Sequence, residues 1–229
     1  MAPSNIGDRR AHGRAILTRF AEITLPRDLA PFLVAYRKSY EGYDARAEVV
    51  DAARTKRDDA LELVGDADDL FDTSVSILAD KMVGAGLGTR KQPFAKVSSH
   101  SPSALAALPY AEEPKAIRGL GDKLVKLEPP SDVAKALSVC LKNASAIENA
   151  LGKLAKPQAA YDKALRERDA LLPELSKALR RLKKHAAAAW DEDPATYAAI
   201  FAPPDAVQAP KKRRAPVAKK PAAPAPEPT

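Results

Sequence analysis

The fold of this chain is decided by residues 133–189, which read VAKALSVCLKNASAIENALGKLAKPQAAYDKALRERDALLPELSKALRRLKKHAAAA. From Val133 onward, apolar residues recur at alternating steps of four and three, and 15 of the 17 positions on that register are apolar. The whole chain is 45% apolar, so the pattern is strong. A mean spacing of 3.5 residues places one apolar seam along an α-helix, as in coiled coils and helical bundles.

A second stretch, from Leu29 to Met82, repeats the pattern with 13 of 16 positions apolar. We therefore predict an all-α protein with two long heptad-patterned helices, about 28–84 and 131–190, packed as a coiled coil or helical bundle. Its seams should shield four leucines from water, namely Leu61, Leu78, Leu154 and Leu175. The seams are closed either within one chain or between chains. Possible interruptions are expected at Gly42, Gly65, Pro157 and Pro173, and the unbroken heptad phase favours kinks over turns.

Shorter helices are predicted beside the long ones. Helical spacing of apolar residues indicates helices at about 102–108, capped by Ser101, and about 113–127, and a further helix in the basic N-terminal segment 1–27. The first long helix also carries a second apolar stripe, two positions beyond its seam. We expect the shorter helices to cover that stripe, which consists of Val49, Leu63, Leu70 and Ile77.

Charge divides the chain into three parts. The formal net charge is +7, of which residues 207–229 carry +5 and residues 1–27 carry +3, which leaves −1 for the predicted bundle, 28–206. The last 23 residues combine six prolines with six cations and have no large apolar residue beyond two valines. Such a composition buries too little apolar surface to offset the entropy of ordering, so we predict a disordered Lys/Ala/Pro-rich tail.

That tail is the part of the sequence to which a binding mechanism can be attached. Its cations can neutralise phosphates by counterion release, which is a non-specific, salt-sensitive mode of binding nucleic acid. The tail resembles in composition the lysine-, alanine- and proline-rich tails of linker histones and some bacterial nucleoid proteins. The alternative interpretation is a solubilising tail. The predicted polyanion-binding residues are Lys211, Lys212, Arg213, Arg214, Lys219 and Lys220.

Nothing in the sequence resembles the working parts of an enzyme. The three histidines are scattered and form no metal-binding spacing, and the single Cys140 falls on the apolar seam, so no catalytic, cofactor or metal residue is predicted. The glycine-rich residues 84–91 lack the spacing of a phosphate-binding loop. An acidic cluster between Asp58 and Asp72 is interpreted as a solvated helix face.

The sequence thus predicts a non-catalytic scaffold or adaptor whose seam mediates self-association or binds a partner helix. The alternative is a helical-bundle enzyme or ligand carrier with a pocket near Arg57 and Arg168, two arginines on the seams. We expect each arginine to pair with a nearby carboxylate, and to fix helix register. With no signal-peptide layout and no run of 18 apolar residues, we predict a cytoplasmic protein without a membrane partner.

Overall fold

The computed structural model describes residues 6–204 of the chain. Those residues are helical throughout their regular parts, with no strand among them. The elements are α1 (Ile6–Ala21), a 3-10 turn (Arg27–Leu29), α2 (Ala30–Gly84), α3 (Pro102–Leu105), α4 (Glu113–Val125), α5 (Ser131–Asp169), α6 (Leu172–Ala189) and α7 (Pro194–Phe201). The predicted all-α class, with two long helical segments and shorter helices beside them, is confirmed.

The two long segments lie antiparallel along each other. Lys81 on α2 is paired with Asp132 at the start of α5, at 3.6 Å, and Arg46 with Glu167 near the end of α5, at 3.0 Å. Between these points the Asn143 side-chain amide donates to the carbonyl oxygen of Leu70 at 3.0 Å. In all three pairs the residue numbers add to 213, so the register holds along the helices.

The prolines and glycines within the long segments act differently from one another. Gly42, Gly65 and Pro157 lie inside continuous helices. Regular helix is interrupted only at residues 170–171, where the amide of Leu171 donates to the carbonyl of Arg168 at 3.0 Å before Pro173 enters the first turn of α6. Proline lacks a backbone donor and suits a first helical turn, which explains why the break precedes Pro173.

Helix α2 ends at the glycines for a local reason. Gly86 has φ of +70°, and its amide donates to the carbonyl of Val83 at 3.1 Å. The next amide, of Leu87, donates to Met82 at 2.9 Å. This pair of bonds is the Schellman arrangement, in which a glycine adopts the left-handed conformation at low cost and satisfies the last carbonyls of the helix.

Two compact units make up the fold. One contains residues 31–182, and its principal core joins α2, α4 and α5 with the loop residues Phe94 and Val97. Helix α4 approaches α5 closely because Gly121 has no side chain: a Cβ there would lie 3.3 Å from Leu137. The core includes Leu78, fully buried, and Cys140, whose predicted burial is confirmed.

The second unit combines residues 6–30 with residues 183–204. In it Phe20 of α1 packs against Trp190 and Phe201, with both ring centroids 5.9 Å away. Arg19 donates to the carbonyls of Ile200 and Ala202, at 3.1 and 2.6 Å, which satisfies acceptors at the end of α7.

Burial along the seams departs from prediction at one of the four leucines. Leu78 and Leu175 are buried and Leu154 is half-buried, but Leu61 is 45% exposed, so its predicted burial is wrong. The neighbouring Ala60 is buried instead. Val64, Phe71 and Leu78, further along the same register, are buried, so the departure is local to residues 60–61.

Candidate functional site

The most prominent surface feature of the 31–182 unit is the second apolar stripe of α2. Its four side chains remain open to water, with exposed fractions of 47% at Val49, 50% at Leu63, 61% at Leu70 and 49% at Ile77. The expectation that shorter helices cover this stripe is therefore wrong. Helix α4 packs on the opposite flank of α2, where it meets Asp68 and Asp72, so the stripe is left uncovered within the described chain.

Helix α5 adds to the same exposed face. The bond from Asn143 to the backbone of Leu70 places that flank of α5 beside the stripe. Val139 is one helical turn from Asn143 and is 50% exposed, and Ala146 is exposed one turn further along. We call this surface the open face: the apolar stripe of α2 together with Val139, Asn143 and Ala146 of α5.

The open face carries opposite charges on its two helices. Acidic residues of α2 border the stripe, and lysines of α5 lie outside its apolar residues on the other side. These side chains are exposed, and none takes part in an ion pair in the part of the chain that the structure describes. The acidic residues are Asp59, Glu62, Asp66, Asp69 and Asp80, and the lysines are Lys135, Lys142, Lys153 and Lys156.

A shallow groove lies between α2 and α5 at the Val49 end of the stripe. It has a volume of about 360 Å³ and an almost wholly apolar floor that includes Val49, Ala53 and Pro157. Lys56 and Lys156 stand at its edges. Small residues and a proline keep the floor low, because alanine side chains and the proline ring rise little above the backbone. The groove suits an apolar side chain flanked by carboxylates.

The two seam arginines bind the aspartate that follows each of them. Arg168 is 4% exposed and donates twice to Asp169 Oδ1, at 2.9 and 2.6 Å, while its Nη1 has no hydrogen-bond partner. Arg57 is more open; it pairs with Asp58 and lies 4.3 Å from the centre of the Tyr161 ring. Pairing with Asp58 and Asp169 agrees with the expectation from sequence. Their local partners make these arginines part of the helix seam.

A cluster of three carboxyl groups is buried where α4 meets α2. Glu113 is 1% exposed, and neither of its carboxyl oxygens has a donor; the same is true of one oxygen each on Asp68 and Asp72. Burial, and then the charges of Asp68 and Asp72, raises the pKa of Glu113 to about 8. Burial and the charges of Asp68 and Asp69 likewise raise the pKa of Asp72.

A proton on the Glu113 carboxyl group explains how these carboxyl groups can lie together without a donor from elsewhere. Two ionised carboxylates have no donor between them, whereas a protonated Glu113 can donate to Asp68, which lies within its hydrogen-bonding reach. At neutral pH we therefore describe Glu113 as a neutral acid. From the sequence, Asp68 and Asp72 were expected to lie on a solvated helix face, and a role for Glu113 was not predicted. The available signal was that Asp68 occupies a seam position of the heptad register.

Among the remaining titratable side chains of residues 6–204, Cys140 and His12 are buried. No three histidine, cysteine, aspartate or glutamate side chains in that range are grouped so that they could hold a metal ion. Burial raises the pKa of Cys140 and lowers that of His12, whose Nδ1 has no partner. Each of these changes favours the uncharged form in an apolar environment. None of the described helices has the length and apolar character needed to span a bilayer.

The predicted polyanion-binding residues, from Lys211 to Lys220, lie outside the described residues, so the structure places none of them.

The comparisons with known proteins find no relative. The chain matches no protein-family model, and neither a curated protein nor a solved structure is detectably similar to it. The function must therefore be inferred from this chain's own residues.

Proposed function

We propose that this chain is a non-catalytic helical scaffold whose body binds other helices and whose basic C-terminal residues tether it non-specifically to nucleic acid. The observation that carries the proposal is the separation of the two properties along the chain. Residues 31–182 form a helical unit with an uncovered apolar face. The six cations of residues 211–220 come at least 29 residues later in the sequence.

The nucleic-acid part of the proposal follows from electrostatics. Six cations can neutralise up to six phosphates, each of which contributes about 0.9 to the slope of log affinity against log salt on duplex DNA. Affinity should then fall about a thousandfold between roughly 50 and 200 mM salt. No aromatic residue occurs in 207–229, so stacking on bases adds nothing to the binding.

A mobility-shift titration on a short random-sequence duplex tests the tether. The test variant replaces the six cations of residues 211–220 with alanine, and the matched control replaces the six prolines of 207–229 with alanine, which keeps the charge. We expect the first variant to lose binding at about 50 mM salt and the second to retain it. Equal binding by the two variants would refute the tether.

One observation favours a second candidate, a helical-bundle ligand carrier or enzyme. A buried, neutral Glu113 beside Asp68 and Asp72 is the kind of perturbed acid that occurs at binding and active sites. Neither the groove between α2 and α5 nor the groove between α2 and α6 is lined by any of these three residues. Thermal unfolding with and without millimolar Mg²⁺ or Ca²⁺ separates the candidates: the scaffold predicts no change, and stabilisation that Glu113→Gln abolishes would support the carrier.

A further inference from the structure

We propose that the open face pairs with the open face of a second copy of this chain, with α2 of each copy lying over α5 of the other in an antiparallel four-helix bundle. This inference names the partner of the proposed scaffold and so rests on that proposed function. It differs from association through the heptad seam, because the seam is already closed within one chain: Leu78 and Cys140, on the two facing seams, are both fully buried.

The size of the face fits a stable dimer. The stripe from Val49 to Ile77 covers 29 residues, and its two ends are about 42 Å apart along the helix at 1.5 Å per residue. Two helices side by side are about 20 Å wide, so the face presents about 800 Å² per copy, the area of a standard protein interface. Single exposed apolar side chains are ordinary, but a heptad-spaced set on a rigid helix pair is typical of an interaction surface.

Charge decides how two such faces meet. A two-fold axis perpendicular to the helices would lay α2 on α2 and α5 on α5, which places acidic residues over acidic residues and lysines over lysines. An axis parallel to the helices instead lays α2 over α5 of the other copy. Each α2 is then antiparallel both to α5 of its own copy and to α5 of the other copy. Apart from Lys56, which comes close in height to Lys156 of the second copy, the second arrangement brings opposite charges together, so it is the one that we infer.

The register within one chain predicts the contacts in this second arrangement. A two-fold axis parallel to the helices preserves height along them. Each α2 residue therefore lies level with the α5 residue of the other copy for which the two residue numbers add up to 213. Asp69 then lies within about 3 Å in height of Lys142 of the second copy. By the same rule Asp59 lies within about 2 Å in height of Lys153, and Asp80 within about 3 Å of Lys135.

Apolar side chains interlock in the same register. Val139 of the second copy comes level with position 74, between Leu70 and Ile77. Ala146 of the second copy comes level with position 67, between Leu63 and Leu70, where a small residue leaves room for both leucines. Alternation of large and small residues across facing positions is what close helix packing requires.

Sedimentation equilibrium of the full chain, without nucleic acid, tests the inference. We expect a mass of about 49 kDa, twice the chain mass of 24.5 kDa, at about 10 µM protein. Leu70→Glu should shift the mass to 24.5 kDa without changing the helical signal, since Leu70 is 61% exposed. Val125→Glu on α4, where Val125 is 62% exposed away from the open face, is the matched control and should remain dimeric. A wild-type monomer, or equal behaviour of the two variants, would overturn the proposal.

A charge-exchange experiment then fixes the arrangement. Asp69→Lys alone and Lys142→Glu alone should each weaken self-association about tenfold, because each creates two like-charge contacts in the dimer. An equimolar mixture should associate as the wild type does, since both contacts between the two different copies again join opposite charges. No recovery on mixing would overturn the α2-over-α5 arrangement. Because the mass is measured without nucleic acid, failure of the tail to bind and failure of the dimer are distinguishable.

Discussion

The two halves of the α2–α5 pair share one heptad pattern but differ in what covers them. In the upper half, α4 packs over residues 64–82 of α2 and 133–150 of α5, and the three helices share a continuous hydrophobic core. In the lower half, residues 33–61 of α2 face 154–182 with no third helix of the 31–182 unit over them, and the seam includes tyrosines and two arginines. In the upper half the third helix extends the apolar core, whereas the seam of the lower half is filled in part by tyrosines and by Arg168, which are buried.

Core truncation should show the largest difference between the halves. Leu78→Ala in the upper half removes a fully buried side chain, and we expect it to lower the free energy of unfolding by about 4 kcal/mol. Leu175→Ala in the lower half, where the side chain is 9% exposed, should cost about 2 kcal/mol because water and neighbouring side chains can fill the space. Urea unfolding followed by circular dichroism measures both. Equal losses would contradict the difference in cover.

The buried acid of the upper half should make stability depend on pH. The pKa of Glu113 is about 8 in the folded chain and 4.5 when unperturbed, so its contribution is complete below about pH 4.5 and is lost as pH rises through about 8. Glu113→Gln, which cannot ionise, should unfold about 4 °C or more above the wild type at pH 9. At pH 5 the two proteins should differ little in unfolding temperature. A constant difference across this pH range would argue against a titrating Glu113.

The seam arginines of the lower half should respond oppositely to removal of their charge. Arg168→Met removes a buried charge with an unpartnered Nη1 and leaves the half-exposed Asp169 solvated, so we expect a gain of about 1 kcal/mol in unfolding free energy. Arg57→Met loses a favourable contact with the Tyr161 ring and should be slightly less stable than the wild type. Chemical denaturation of both variants measures these changes in unfolding free energy. A large loss of stability in Arg168→Met would show that the charge of Arg168 is needed for folding.

A surface ion pair of the upper half should have the smallest effect. Arg118 on α4 binds Glu148 on α5 through two bonds of 2.5 Å, and this pairing holds the pKa of Glu148 below its usual value. Both side chains are nearly half exposed, so water and salt screen the interaction. Glu148→Gln should lower the unfolding temperature by less than about 2 °C. A larger fall would mean that this pair, rather than the apolar core, fixes α4 on α5.

Periodicity predicted the long helices, because a 3.5-residue repeat sustained over more than fifty positions fits the turn of an α-helix and does not fit the two-residue period of a strand. The starts of the two short helices were also predicted, and Ser101 does accept a hydrogen bond from the amide of Ala104 as a cap, but the helices end at Leu105 and Val125, before the predicted 108 and 127. Helix α7 was missed, although Asp193 and Pro194 form a cap and first turn that could have identified it. An eight-residue helix shows too few turns for periodicity to reveal.

The candidate site was predicted only in part. The second stripe of α2 was recognisable from spacing, but its exposure was not, because covering it depends on where α4 lies across the bundle. The position of Glu113 beside Asp68 likewise joins residues 45 positions apart in the sequence. Contacts at that separation are set by the packing of whole helices.

The sequence by itself determined that this protein is helical, which residues form the seams, and that its charge is concentrated outside a near-neutral body. Those properties depend on the local geometry of the α-helix and on composition, both of which are encoded within a few residues. Only the tertiary structure decided that the seams close within one chain, that α4 packs over the upper half of the helix pair and that one apolar face is left open. These outcomes depend on competition between distant helices for the same buried surface.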